Sequence, residues 1–267
     1  MEGKDKKIYI PIDYLKFEDK KNLSILIDLF YWKNSDNLVN ITLDKLIKDC
    51  GYKPKTGVGK TNDKFKLSLS YLQKQNIIKC DTELNDIKLK QLITIEVENF
   101  EKDKRYTMLY YSEYRKIMQD NVKSTMKDNM LLLYITIKRG IGARDCYGRE
   151  IVYKQVTNKT LMNNCNISKD TLSGCLKELS GLGLIYYDNI GYIIKNDTCR
   201  KAINVYALNY DGLEVGLKNS KKYYEDKGYI FESKEYKSKR IEEEFEDKDI
   251  ELSEHDLYMI EMMDWLN

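Results

Sequence analysis

The sequence predicts an α+β, helix-rich fold with two tandem copies of one unit, a helix-turn-helix followed by a β-hairpin, and a charged helical C-terminal extension. Two observations support this prediction. The stretch Thr157–Tyr187 has the residue order of such a unit, and a matching pattern occurs earlier in the chain, between Ile41 and Ile78. Two copies of one supersecondary unit indicate two similar domains.

The later copy begins with two short helices joined by a turn at residues 165–167. Thr157 and Ser168 are the predicted N-caps, because a hydroxyl oxygen can accept a hydrogen bond from an unpaired amide in the first helical turn. The second helix carries apolar residues at i, i+3, i+4 and i+7, which is the stripe of an amphipathic helix. These residues are Leu172, Cys175, Leu176 and Leu179.

A predicted hairpin follows the second helix. Gly181 and Gly183 end the helix. Leu184–Tyr187 and Gly191–Ile194 are strand-like segments on either side of a turn at 188–190. Helix, turn, helix and hairpin in this order are typical of a winged helix.

The earlier copy matches the later one in two ungapped blocks. Ile41–Tyr52 matches Val156–Ile167 with a shift of 115 residues, and Phe65–Ile78 matches Leu172–Ile185 with a shift of 107 residues. The difference of eight residues is an insertion in the loop 53–60 of the earlier copy. We therefore predict a winged-helix domain at 1–100, a second at 101–209, and a charged extension with an acidic C-terminal helix at 210–267.

The insertion loop ends in Gly59-Lys60-Thr61, which raises the question of a nucleotide-binding P-loop. A Walker A motif needs a glycine at position 54, where this chain has Pro54, and a buried strand before the loop, where we predict a helix. The sequence therefore does not predict a Walker A site. A basic loop beside nucleic acid and a plain solvated loop are the two interpretations that remain.

Charge is distributed unevenly along the chain. Residues 241–267 hold eleven acidic residues and one lysine, a net charge of −10, whereas residues 1–240 have a net charge of +12. A basic body favours a polyanion, and an acidic tail favours a basic partner or the body itself. Apolar residues spaced along the tail predict a helix that binds a partner protein or docks on the body; they are Leu257, Ile260, Met263 and Trp265.

Several functional classes are disfavoured by composition. The one histidine, His255, lies in the acidic tail, and we find no catalytic-triad, zinc-protease or dinucleotide-binding motif, so we predict neither an enzyme nor a metal or other cofactor. The six cysteines have no C-x-x-C spacing and are interpreted as reduced, buried thiols. No apolar run reaches the roughly 18 residues of a membrane span, so we predict a cytoplasmic protein without membrane contact.

The strand-like segment Ile8–Leu15, followed by a helix and a helix-turn-helix with a hairpin, resembles the N-terminal domains of Gram-positive plasmid and phage replication initiators and of DnaD-type primosome proteins. Two such units in tandem resemble the iteron-binding plasmid initiators. The resemblance covers about residues 7–208. It implies sequence-specific binding of double-stranded DNA, with each recognition helix in a major groove.

The resemblance also implies replication proteins as partners of the acidic C-terminal helix, and roles for individual side chains in DNA binding. The base-reading candidates are Asn62, Lys64 and Lys66 in the first unit, and Lys169, Asp170, Thr171 and Ser173 in the second. The candidates for backbone contacts are Lys60, Lys88, Lys90 and Lys177. For the lysines, a merely solvated helix face is the alternative interpretation.

The most specific expectation is replication initiation of a plasmid or phage-like element. A transcriptional regulator of a mobile element would use the same unit, and so would an adaptor protein that assembles the replication machinery through winged helices. The sequence also leaves open whether the protein acts as a monomer or as a homodimer.

Overall fold

The computed structural model describes residues 5–80, 82–98, 105–145, 147–196 and 198–232. These residues form a mixed α and β structure with more helix than strand. The helices are α1 (Lys21–Trp32), α2 (Leu43–Asp49), α3 (Thr61–Lys74), α4 (Tyr111–Gln119), α5 (Ser124–Lys138), α6 (Asn158–Cys165), α7 (Lys169–Gly181) and α8 (Tyr210–Asp226). The strands are β1 (Lys7–Pro11), β2 (Leu38–Thr42), β3 (Ile78–Cys80), β4 (Leu92–Val97), β5 (Tyr106–Tyr110), β6 (Tyr153–Gln155), β7 (Tyr186–Asp188), β8 (Tyr192–Lys195), β9 (Thr198–Lys201), β10 (Val205–Ala207) and β11 (Ile230–Glu232).

The chain divides into two compact units. Unit 1 comprises Met1–Thr136 and Ser173–Leu182, and unit 2 comprises Ile137–Leu172 and Gly183–Asn267. This division differs from the predicted boundary at residue 100, because β5, α4, most of α5 and most of α7 are assigned to unit 1.

An antiparallel ribbon of β1 and β5 explains why residues beyond 100 belong to unit 1. Residues 106–118 repeat the sequence pattern of Ile8–Phe17, which predicts that each strand opens a separate domain. The two strands instead pair with each other, with Ile8 opposite Leu109 and Ile10 opposite Thr107. All four of these side chains are buried, while the alternate residues Tyr9 and Tyr106 are exposed. One face of the ribbon is thus part of the core, as the two-residue period of a strand requires.

The remaining core of unit 1 lies between the sheet β2-β4-β3 and helices α1, α2 and α3. Along β2 and β4 apolar and polar residues alternate: Val39 and Ile95 are buried, while Asn40 and Thr94 are exposed and joined by a hydrogen bond of 2.8 Å. The apolar spacing of Lys21–Trp32 predicts four inward residues in α1, and all four are buried, namely Leu23, Leu26, Ile27 and Phe30. The sheet therefore buries one face, and the helices cover the core.

The hairpin predicted for the later copy is wrong in its pairing. Strand β7 does not pair with β8; it pairs with β10, which lies between β6 and β7. All three residues of β10 are buried, so the backbone N–H and C=O groups on both edges of this strand need hydrogen-bond partners, which two neighbouring strands supply. The side chain of Asn189 accepts from Gly191 N at 2.9 Å and donates to Asn204 Oδ1 at 3.0 Å, which fixes a turn that separates β7 from β8.

Strand β8 instead lies in the middle of a second small sheet, between β9 and β11. The hairpin β8–β9 turns at Asn196, whose φ of 49° is in the left-handed region that asparagine tolerates. Ile193, Ala202 and Tyr224 form a buried cluster beneath this sheet. The sequence from β7 to β10 therefore contains an inserted hairpin that the sequence pattern did not reveal.

Helix α8 begins the segment that we predicted as a charged extension, but it is part of unit 2. Leu213 packs with Val205 and Ala207 of β10, and Gly216 allows the helix to approach the sheet closely. A Cβ atom at Gly216 would lie 2.4 Å from Val205 Cγ1 and 2.8 Å from Tyr153 Cγ. The predicted extension from 210 therefore contributes to the core as far as the described residues extend, which is to residue 232.

The two three-stranded sheets β2-β4-β3 and β6-β10-β7 share one topology. In each, a strand precedes two helices, and two further strands follow them. In each, the last of these three strands lies in the middle, next to both others. The two copies that the sequence predicts thus share their strand order as well as their helix order.

Asp28 is a fully buried carboxyl group in α1. Its Oδ1 accepts from the hydroxyl of Tyr111 at 3.3 Å, and its Oδ2 has no hydrogen-bond partner among the described residues. Burial raises the pKa of Asp28 to about 8; the carboxylate of Asp49 acts in the same direction, while Lys45 and Arg115 oppose it. The folded protein therefore holds Asp28 mostly protonated at neutral pH.

We expect Asp28→Asn to stabilise the protein increasingly as the pH rises toward 8. The folded pKa lies above the unfolded value of 3.8, so between these values the folded state holds a proton that the unfolded chain releases. Ionisation of Asp28 therefore does not change the free energy of unfolding below about pH 4. Between about pH 4 and pH 8 it lowers the free energy of unfolding by at most about 1.4 kcal/mol per pH unit. Urea unfolding between about pH 5 and 8 should give a steeper decline for the wild type than for the variant. Equal slopes would show that Asp28 ionises normally in the folded protein; the exposed Asp86→Asn is the control.

Gly216→Ala should destabilise the protein by about 1–3 kcal/mol, because the added methyl group overlaps strand residues that cannot move away. Gly181→Ala is a matched control in a helix, since a Cβ there meets no atom within 4 Å. That control should be neutral or slightly stabilising, because alanine favours the helix. Urea unfolding followed by far-ultraviolet circular dichroism measures both. Equal midpoints for the two variants would mean that α8 does not press against β6 and β10.

Candidate nucleic-acid interface

The helix pair α6–α7 is held by the predicted caps. Thr157 Oγ1 accepts from Thr160 N at 3.1 Å, and Ser168 Oγ accepts from Thr171 N at 3.3 Å. Asn166 ends α6 with a left-handed φ of 47°, which reverses the chain between the helices. Both N-cap predictions are confirmed, so the start of each helix is set by local chemistry.

The apolar stripe of α7 is buried as predicted, which determines the residues that face outward. Leu172, Cys175, Leu176 and Leu179 are all less than 5% exposed. The predicted contact residues Lys169, Asp170, Ser173 and Lys177 are exposed. Thr171 is half-buried, and its hydroxyl lies 2.9 Å from that of Ser168, so it belongs partly to the cap.

Helix α3 buries Phe65, Leu69 and Leu72, which correspond to the buried residues of α7. Lys64 is exposed on the opposite face. Lys66 is half-buried, and its ammonium group donates to the carbonyl of Asn85 at 2.7 Å. Of these two predicted base-reading lysines, Lys64 is therefore the one whose side chain projects from the outward face.

Asn62 does not fit the base-reading role that the resemblance implies. The residue is only 9% exposed. Its Oδ1 accepts from Lys55 N at 2.9 Å, and its Nδ2 lies 3.4 Å from Thr56 Oγ1. Its backbone N–H donates to the carbonyl of Lys55 at 3.1 Å. The side chain therefore fixes the loop before α3, and its polar atoms are not directed toward solvent.

Two outward residues of α3 were missed by the sequence analysis. Leu67 is 58% exposed and Tyr71 is 38% exposed, and they continue the face that begins with Lys60 and Lys64. The spacing of four, three and four residues from 60 to 71 is the complement of the buried stripe, which is the signal that could have identified them. Apolar side chains on such a face can contact the methyl group of thymine.

The wing of the earlier copy differs from its sequence pattern. Ile77–Cys80 and Ile87–Val97 are strand-like in sequence, which predicts a wing with Lys88 and Lys90 near its tip. The second strand, β4, begins only at Leu92, and the connection from β3 packs on unit 1. Ile87 is buried, and the carbonyl of Leu89 accepts from Asp44 N at 2.9 Å, at the start of α2. Lys88 and Lys90 are exposed on this packed loop, and not at the tip of an extended hairpin.

The partner-binding residues Leu257, Ile260, Met263 and Trp265 lie outside the described residues. Within the described part of the chain, no three His, Cys, Asp or Glu side chains are grouped so that they could hold a metal ion. A membrane-spanning helix, judged by length and apolar character, is also not found in that part.

No protein-family model matches this chain, and no curated protein shows a significant similarity to it. The topology that the two sheets share, and the side chains exposed on α3 and α7, are therefore the features that bear on function.

Proposed function

We propose that the protein binds duplex DNA through two winged-helix motifs, the first with α3 and the second with α7 as its recognition helix. The repeated topology carries this proposal: in each copy a strand precedes a pair of helices, two further strands of the same sheet follow them, and the two sheets share one strand order. In DNA-binding proteins of this type, the second helix of the pair enters the major groove. The outward residues that would meet DNA are exposed on both helices.

Charge supports the same ligand. Residues 1–240 carry a net charge of +12, which favours a polyanion. Lys60 and Lys64 on one recognition helix and Lys169 and Lys177 on the other are all exposed. Lysines at such positions contact phosphates, which supply most of the affinity for DNA of any sequence.

Replication initiation of a plasmid or phage-like element is the biological role that we propose with this activity, and it derives from the resemblance alone. Selection of bound sequences from a random duplex pool would identify the site. Direct repeats of that site beside the gene would support an initiator, whereas a single site in a promoter would support a transcriptional regulator. A protein without affinity for duplex DNA at low salt would instead be an adaptor.

Binding to duplex DNA should weaken steeply as salt is added. If about five lysines and arginines contact phosphates, the logarithm of the binding constant should fall against the logarithm of the salt concentration with a slope of about −4 to −5. Fluorescence anisotropy with a labelled duplex between about 50 and 200 mM salt measures the slope. A response that is flat with salt would contradict the electrostatic part of the proposal.

Base reading and backbone contact should separate in two variants. Ser173→Ala should cost about 1–3 kcal/mol on the selected site and little on random duplex, because a hydroxyl that bonds to a base edge discriminates between sequences. Lys177→Gln should weaken binding to both duplexes alike. If Ser173→Ala weakens both duplexes equally, or neither, α7 does not read bases through this residue. Ser180→Ala, at an exposed position near the end of α7, is the matched control.

A further inference from the structure

An open cleft of about 530 Å³ lies in unit 1 at the start of α3. Four chain segments line it: the residues before and at the start of α1, the loop after α2, the first turn of α3, and the first half of α5. Lysines from three of these segments converge on it. They are Lys20, Lys21, Lys55, Lys60 and Lys64, and we call this the lysine cleft.

Two of the five lysines have protein partners. Lys21 is 8% exposed and forms an ion pair with Asp19 at 3.1 Å, and Lys20 donates to Asn129 Oδ1 at 2.7 Å. The other three, Lys55, Lys60 and Lys64, are exposed and take part in none of the ion pairs in the described part of the chain. Bringing like charges together costs free energy, which an anionic ligand would offset.

Two of the three acidic residues that line the cleft are engaged by other groups. Asp19 is paired with Lys21. Asp128 accepts hydrogen bonds from the hydroxyls of Ser24, at 2.7 Å, and Tyr52, so both of its oxygens are engaged. Burial also raises the pKa of Asp128 to about 6, which reduces its negative charge near that pH. The third acid of the lining is Glu18.

The loop before α3 is built to hold two of the lysines in place. Buried Asn62 bonds both backbone atoms of Lys55, the donor and the acceptor, as described above. Lys60 is the N-cap residue of α3, and its own amide donates to the carbonyl of Gly57 at 3.0 Å. Its side chain forms no cap hydrogen bond, so the first turn of the 14-residue helix lies beside the cleft without a side-chain cap. Such a helix start adds a partial positive charge to that of the lysines.

We propose that the lysine cleft binds phosphate groups, either of a free nucleotide or of a DNA backbone. Lysine ammonium groups bind phosphate as point charges, and the volume lies within the roughly 300–1,000 Å³ of small-molecule pockets. The site differs from a Walker A loop, because Pro54 occupies the first glycine position and α2 stands where a buried strand is required. Binding of DNA backbone phosphates in the cleft rests on the proposed function, whereas binding of a free nucleotide does not.

The double variant Lys60→Gln/Lys64→Gln tests the cleft in the full-length protein. Lys116→Gln is the matched control, an exposed lysine in α4 that does not line the cleft. Calorimetric titration with ATP and with inorganic pyrophosphate measures the first source, and anisotropy with a random-sequence duplex measures the second. Circular dichroism confirms that each variant is folded. A third variant, Lys55→Gln, removes a cleft lysine that is not on the recognition helix.

Two results would support phosphate binding by the lysine cleft and identify the molecule that supplies the phosphate. ATP or pyrophosphate binding that falls at least 10-fold in the double variant, and also falls in Lys55→Gln, would indicate a free nucleotide. No such binding by the wild type, together with a DNA salt slope that is smaller by about 1.8 in the double variant and by about 0.9 in Lys55→Gln, would indicate backbone phosphates.

The proposal is overturned if Lys55→Gln and the double variant match Lys116→Gln in both measurements. If the wild type binds DNA in that case, the proposed phosphate site in the lysine cleft is wrong, while the proposed function stands. If the wild type binds no duplex at all, the proposed function fails, and the ATP and pyrophosphate titrations alone decide the cleft; no binding there overturns it.

Discussion

Burial of one apolar stripe on α3 is the constraint on which the functional surface of unit 1 depends. Phe65, Leu69 and Leu72 are fully buried. Because the helix repeats every 3.6 residues, fixing these three side chains inward fixes Lys64, Leu67 and Tyr71 outward. The same requirement on α7 directs Ser173 and Lys177 to solvent. A surface that could bind DNA is thus a consequence of how the core is filled.

The features that sequence analysis predicted well are those determined by neighbours in the chain. A hydroxyl three residues before an amide is sufficient for a cap, so Thr157 and Ser168 could be identified without knowledge of the fold. The buried stripe of α7 followed from its spacing alone, whereas α1 is buried on all sides from Lys21 to Phe30, which spacing does not show. The same spacing rule places Leu67 and Tyr71 on the outward face of α3.

Strand pairing was predicted poorly because it depends on residues that are distant in sequence. Nothing near Tyr186–Asp188 shows that its partner is Val205–Ala207 and not the nearer Tyr192–Lys195. The choice follows from β10, an entirely buried strand that needs two neighbours. Likewise β1 and β5 are separated by about a hundred residues, and their similar sequences indicated repetition when they are in fact partners. Similarity between two strands does not distinguish a repeat from a pair.

Asn62 shows a further limit of reasoning from position. At the start of a recognition helix an asparagine has the right chemistry to read adenine, yet its amide is engaged by the loop that carries Lys55. The eight-residue insertion that sets the two copies apart therefore has a structural requirement of its own, which Asn62 meets.

The two candidate recognition helices differ in the chemistry of their outward faces, and this difference bears on how two copies of one unit would be used. The face of α3 combines Lys60 and Lys64 with the apolar Leu67, whereas the face of α7 presents Lys169 and Lys177 together with Asp170 and the short polar Ser173. A carboxylate next to DNA is repelled by phosphate and is tolerated where it can accept from a cytosine amino group. Under the proposed function, α3 would therefore contribute more to affinity and α7 more to the choice of sequence. Lys60 itself lies in the loop 53–60, so the insertion before α3 supplies part of the charge on that face, which is consistent with this division of roles.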